Sequence, residues 1–185
     1  MEMYRLSLPE VCIFSPKKFG DDRGFFSETY NAHRLLVLGI DLNFVQDNHA
    51  YSAQAGTVRG LHFQTAPHAQ AKLVRVVRGA ILDVAVDIRR GSPTYGRHAR
   101  AVISAKEWNQ ILIPVGFAHG LCTLEPDTEV LYKVTDFYDP DCDRGLLWND
   151  PAIGIEWPVS EAKALLSGRD RLHPTLSELP AYFSV

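Results

Sequence analysis

Residues 71–89 read AKLVRVVRGAILDVAVDIR, two runs rich in β-branched and aliphatic residues that are broken at Arg78-Gly79. Each run is short and bounded by turn residues, so each is predicted as a strand. The same punctuation continues on both sides. NFVQDNHAYS (43–52), TVRGLHFQ (57–64), ARAVISA (99–105), QILIPV (110–115) and TEVLYKVTDFY (128–138) are further strand candidates, set apart by signals such as Ala55-Gly56 and RRGSPTYG (89–96). Six or seven strands in under a hundred residues predict a sandwich or barrel rather than βαβ units, with a barrel core from about residue 44 to 140. One helix is expected near Asn31 to Leu38, with Asn31 as N-cap and Gly39 just past the end. A weaker one is expected from Ser160 (SEAKALLSG), ending at Gly168. The picture is mainly β: one domain over residues 1–185, with an N-terminal arm and short C-terminal helices.

Composition narrows the function classes. The 185-residue chain is 46% apolar and 22% charged with net charge −3, so it can bury a full core but offers no dominant basic patch for nucleic acid. No apolar run approaches the roughly 20 residues of a membrane span, and MEMYRLSLPE shows neither a basic leader nor a signal core. Cys12, Cys122 and Cys142 are odd in number and lack CxxC spacing, which suits a reducing, cytoplasmic setting.

Small β-barrels hold ligands in their mouths, so polar residues on these strands are the ones to weigh. GTVRGLHFQ (56–64) and PVGFAH (114–119) resemble the two cupin motifs, the double-stranded β-helix (jelly-roll) barrel whose histidines point inward. A metal-binding cupin places His, His, Glu and His around its ion. Here His62 and His119 hold the first and last places, Gln64 replaces the second His, and no Glu follows between Thr65 and Arg78. Two imidazoles and a neutral amide make a poor site for a divalent ion, so neither a metal nor another cofactor is expected and His62 is free to act as a base. Lys72, Asp83 and Tyr132 lie on neighbouring strands. Asp83 shares a face with Ile81 and Asp87, and an inward carboxylate there would want a cation such as Lys72. Arg59, three residues before His62, belongs to the opposite face unless the strand bulges at Gly60.

DDRGFFSETYN (21–31), FVQDNHAYS (44–52), VRGLHFQ (58–64), the 70–89 run, PVGFAHGLCTL (114–124), EVLYKVTDFYDPDCDRGLLWNDPAIGIEWP (129–158) and LSGRD (166–170) together resemble the dTDP-4-dehydrorhamnose 3,5-epimerase family, in order, from about Pro16 to Asp170. The resemblance implies a dTDP-4-keto-6-deoxyhexose substrate whose ketone acidifies the C3 and C5 protons. It implies His62 as base steadied by Asp170, Lys72 backed by Asp83 at the enolate oxygen with His119 nearby, and Tyr132 as acid on the other face. It also implies Arg23 and Arg59 on the pyrophosphate, Glu28, Gln46 and Asn48 at the thymine edge, and Phe26 and Tyr138 as ring-packing faces. A homodimer follows from an arm that carries Arg23 into the partner's site. Asp143 stands where the family commonly has Glu, and Arg169 where it has Lys; both keep their charge and bear on substrate grip. The alternatives are a mono-epimerase acting at C3 or C5 alone, and, in other classes, a metal-dependent cupin oxygenase or a sugar-binding barrel. His49, His68, His98 and His173 are expected to be ordinary surface or core residues, and Trp148 to be packing.

Overall fold

The computed structural model describes residues 1–185 throughout. In chain order the elements are β1 (Glu2–Arg5), β2 (Cys12–Ser15), β3 (Lys18–Asp21), β4 (Gly24–Ser27), α1 (Ala32–Val37), β5 (Gln46–Ser52), β6 (Val58–Gln64), β7 (Lys72–Arg78), β8 (Ala80–Asp87), β9 (Arg89–Arg90), β10 (His98–Ser104), β11 (Gln110–Ile113), β12 (Phe117–Thr123), β13 (Thr128–Val134), β14 (Asp143–Gly145) and β15 (Phe183–Ser184). Two antiparallel sheets carry the molecule. One has the order β1-β2-β11-β7-β13-β5, the other β10-β8-β12-β6-β14. Face to face they form the expected jelly-roll barrel.

Strand period 2 decides what fills it. Val74, Val76, Ile111, Ile113 and Val130 of the first sheet meet Ile81, Ala85, Ile103, Phe117 and Leu121 of the second in one buried cluster. The alternate residues of the second sheet, among them Leu61, Phe63, Val84, Val86 and Ala118, pack under the C-terminal segment with Leu146, Leu176 and Leu179. β8 and β12 are therefore covered on both sides, which is why ILDVAV reads as a nearly unbroken apolar run. Truncating a side chain such as the fully buried Leu61 to Ala would cost about 2–5 kcal/mol.

The helix at residue 32 forms as expected, with the Asn31 side chain accepting the Arg34 N–H at 3.2 Å. The C-terminal helices do not form. Ser160 starts a single turn, its carbonyl accepting from Lys163 and Ala164 N–H, and then Leu165 pairs with the chain at Thr57 instead. An isolated short helix is marginal, and here the bridge to Thr57 together with burial of Ala164 against Val58 and Trp148 outweighs it. Trp148 is packing, as expected. The arm is also smaller than expected. β1 and β2 join the first sheet, with Ile13 and Phe14 buried, and only the β3–β4 hairpin lies outside the two sheets as a separate ribbon. The sheets thus draw in strands on both sides of the 44–140 stretch. No helix is long and apolar enough to cross a membrane.

Candidate active site

At one end of the barrel the apolar filling stops and a cavity of about 280 Å³ opens, lined by Gln46, Asn48, His62, Gln64, Lys72, Tyr132, Tyr138 and Asp143 among others. His62 comes from β6 in the second sheet; Lys72 and Tyr132 come from β7 and β13 in the first. The cavity therefore has a histidine on one wall and a lysine and a phenol on the other.

Asp170 stands behind His62, the imidazole Nε2 donating to its Oδ1 at 2.6 Å. Burial alone would raise the Asp170 pKa, but the hydrogen bond and charge of His62 and the Gly60 N–H hold it below the usual carboxylate range. The aspartate stays ionised, keeps the ring fixed, and leaves Nδ1 as the nitrogen free to take a proton. Lys72 is half-buried; burial pushes its pKa down to about 8, against the opposing pull of the Asp143 and Asp83 charges. Its ammonium makes no ion pair and donates only to the His62 carbonyl, at 3.4 Å. The Tyr132 pKa is raised, chiefly by burial, with Arg59 pulling it down and Asp143 pushing it up, so the phenol holds its proton at neutral pH.

Asp83 is inside the barrel as expected, sharing its inward face with Ile81, but its partner is not Lys72. His119 Nε2 donates to both Asp83 oxygens, at 3.0 and 2.9 Å, and both residues are buried. His119 pairs with Ala85 across the β8–β12 ladder, which puts Asp83 diagonally adjacent on the same face, whereas Lys72 belongs to the opposite sheet. Asp83 reaches Lys72 only through its charge.

Arg59 shows the bulge that the sequence allowed. His119 pairs with His62 but Leu121 pairs with Arg59, so β6 spends one extra residue between them. Gly60 supplies it, at φ +125° and so close to β12 that a Cβ would lie 2.6 Å from the Gly120 Cα. The Arg59 guanidinium is tied to Ser52 Oγ and the Tyr51 carbonyl, near enough to Tyr132 to act on its charge.

At the mouth, Arg169 Nη1 donates to Asp143 Oδ2 at 2.6 Å, and the Tyr138 hydroxyl reaches the same oxygen at 3.3 Å. Gln46 accepts the Tyr138 N–H and donates to Asn48. Gln64, at the lost cupin ligand position, spends its amide on loop backbone, donating to the His68 and Phe137 carbonyls and accepting the Asp139 N–H. Its amide serves as a loop tie.

Three expected site residues lie elsewhere within the single chain. Arg23 sits at the β3–β4 turn with its side chain 90% exposed, paired to Asp21; Phe26 is exposed on β4; Glu28 pairs with Arg34 at 2.6 Å. One residue that the sequence left as ordinary belongs beside the site. His173 packs edge to face on His62, ring centroids 5.6 Å apart. The only sequence signal was its place three residues after Asp170.

Comparison with known proteins gives a consistent result. The family model described as dTDP-4-dehydrorhamnose 3,5-epimerase matches residues 5–178. A protein of that name from Sinorhizobium fredii is 52% identical over 184 residues, covering 98% of this chain and 94% of its own. The crystal structure of a Bacillus anthracis protein of that name, with TDP and pyrophosphate bound, superposes with a TM-score of 0.90 at 49% identity, covering 94% of this chain and 99% of that one. A Legionella pneumophila dTDP-6-deoxy-D-glucose-3,5-epimerase, solved with dTDP-4-keto-L-rhamnose, superposes with a TM-score of 0.91 at 41% identity, over 97% and 96% of the two chains.

Proposed function

The chain belongs to the dTDP-4-dehydrorhamnose 3,5-epimerase family, and from that premise we propose how its barrel inverts C3 and C5 of dTDP-4-dehydro-6-deoxy-D-glucose. The 4-ketone makes the hydrogens on both flanking carbons acidic. His62 Nδ1 removes one, while Asp170 holds the ring and balances the imidazolium that forms. Negative charge moves to the C4 oxygen, where the Lys72 ammonium stabilises it. Tyr132 then delivers a proton from the opposite wall, and the centre is inverted. The observation that carries this reading is that base and acid come from opposing sheets and line one cavity. No cofactor enters these steps. The 3,5 designation of the relatives favours two inverted centres over one.

Arg59 and the pair Arg169–Asp143 flank the cavity and would grip the dTDP part, with Gln46, Asn48 and Tyr138 at the base. Arg23, Phe26 and Glu28 lie outside this cavity, so their binding role requires the β3–β4 hairpin to enter the site of a second copy. A homodimer supplies that. Three buried free thiols fit a cytoplasmic enzyme.

The test separates proton removal from proton delivery. In Tyr132→Phe, His62 and Lys72 remain, so the enolate still forms and His62 returns its proton to the face it came from. Solvent deuterium, followed by NMR, should then enter C3 and C5 faster than epimer appears, with inversion slowed about 10²- to 10⁴-fold. Equal loss of exchange and inversion would show that Tyr132 is not simply the acid.

A further inference from the structure

Asp170 has two imidazoles beside it. Besides His62, His173 Nε2 stands 3.6 Å from the same Oδ1. The His173 side chain is only 10% exposed, and its Nε2 is buried without a hydrogen-bond partner. Such orphans are rare and call for a reason. The space is a built one. Gly145 pairs with His62 in the β14–β6 ladder, and a Cβ there would overlap His173 Nε2.

The ligand atoms of His62, Asp170 and His173 all lie within 4.8 Å of one another. Two imidazoles and a carboxylate are a donor set for zinc-like ions, with a fourth position left for water. Bonds of about 2.0–2.2 Å in a tetrahedron put ligand atoms roughly 3.4 Å apart. The His62–Asp170 pair at 2.6 Å would open slightly to accept the ion, and His173 already stands at 3.6 Å from the shared carboxylate. This site is not the cupin position, which would use His62, Gln64 and His119.

We propose that His62, Asp170 and His173 form a binding site for a divalent transition-metal ion of the zinc type, and that the ion inhibits the enzyme when bound. The ion takes the place of the proton between His62 Nε2 and Asp170. That proton moves to Nδ1 of the same ring, so the imidazole remains neutral but its basic lone pair is gone. Substrate still binds, and the proton is no longer removed. Binding rests on the geometry alone; inhibition also rests on His62 as the base.

Zn²⁺ titrated into chelator-treated protein, followed by calorimetry, should give one strong site per chain. In a non-chelating buffer Zn²⁺ should lower kcat with little change in KM, and excess EDTA should reverse the effect. In His173→Asn, with His173→Gln as a second variant should the first fold poorly, Zn²⁺ affinity should drop by more than the roughly 10- to 100-fold that loss of an outer partner costs. The inhibition curve should move by the same factor, each variant being compared with its own metal-free rate. Unchanged Zn²⁺ affinity in both folded His173 variants, or no binding to the unmodified protein at millimolar Zn²⁺, overturns the site. Binding that depends on His173 yet leaves epimerisation untouched overturns the inhibition and, with it, His62 Nδ1 as the base.

Discussion

Raising the pH from 7 to 9 should switch off Lys72 and stabilise the fold at the same time. Burial holds the Lys72 pKa at about 8 instead of 10.5. About nine-tenths of its ammonium is charged at pH 7 and about one-tenth at pH 9, so kcat/KM should descend through pH 8 by roughly tenfold per unit thereafter. Stability moves the other way. Between about pH 8 and 10.5 the folded protein has released this proton and the unfolded chain has not, so the unfolded state binds more protons and folding gains as pH rises. Shifts of this size correspond to roughly 3 kcal/mol across the window. The assay is kcat/KM from pH 6.5 to 9.5 beside urea unfolding carried on to about pH 10.5, the upper end of the window, for the unmodified protein and Lys72→Met. Lys72→Met should lack this stability gain because it has no charge to lose, and at pH 7 should lose about 10²- to 10³-fold in kcat, the usual cost of removing one oxyanion partner. Lys72→Arg, charged at every pH used, should lose the alkaline limb near 8 in whatever activity it retains. A limb near 8 that persists in Lys72→Arg would refute the assignment, as would a stability curve that is the same with and without Lys72.

Two further outcomes test the frame around the site. Gly60→Ala forces a methyl group against the Gly120 backbone at a φ that L residues avoid, so unfolding free energy should drop by about 1–3 kcal/mol and KM should rise as Arg59 is displaced; an unchanged Tm would show that the bulge is not needed. Arg23→Ala should raise KM, and mixing it with His62→Ala should restore activity through hybrid dimers whose intact arm and intact base meet in one site; a fully active particle sizing at the 20.7 kDa of one chain would exclude a shared site.

Most of the strand frame was legible because turn signals and β-branched runs act locally. All seven strand candidates appear, six of them shortened by one to four residues at their ends and the 99–105 candidate shifted by one residue to His98–Ser104. β12 was not legible as a strand. FAHGLCT lacks a β-branched run, and it becomes a strand because both neighbours in its sheet pair with it and both its faces are covered. The turn at Ser160 failed for the converse reason: its local helix signal was real, and a distant backbone partner at Thr57 outweighed it. In the site, the inward face of Asp83 followed from period 2, yet its partner did not, since that depends on which strand lies alongside β8. His173 needed still more, because its position beside His62 is set by the loop after β14 and by the absence of a side chain at Gly145.

At the mouth of the cavity the charged groups pair with one another. Arg169 and Asp143 meet at 2.6 Å, a guanidinium donating to a carboxylate, and Tyr138 closes on the same oxygen. The same logic runs through the whole site. Asp170 is held by His62, Asp83 by His119, and Asp143 by Arg169, so every carboxylate facing inward already has a cation or an N–H. Lys72 makes no ion pair and the Tyr132 hydroxyl no hydrogen bond within the chain. Even a half-buried ammonium without a counter-ion is costly, and its pKa is lowered accordingly. The cavity thus holds its carboxylates engaged and leaves the Lys72 ammonium without a counter-ion and the Tyr132 hydroxyl without a partner, which is the electrostatic state that a neutral ketone turning into an enolate needs to meet.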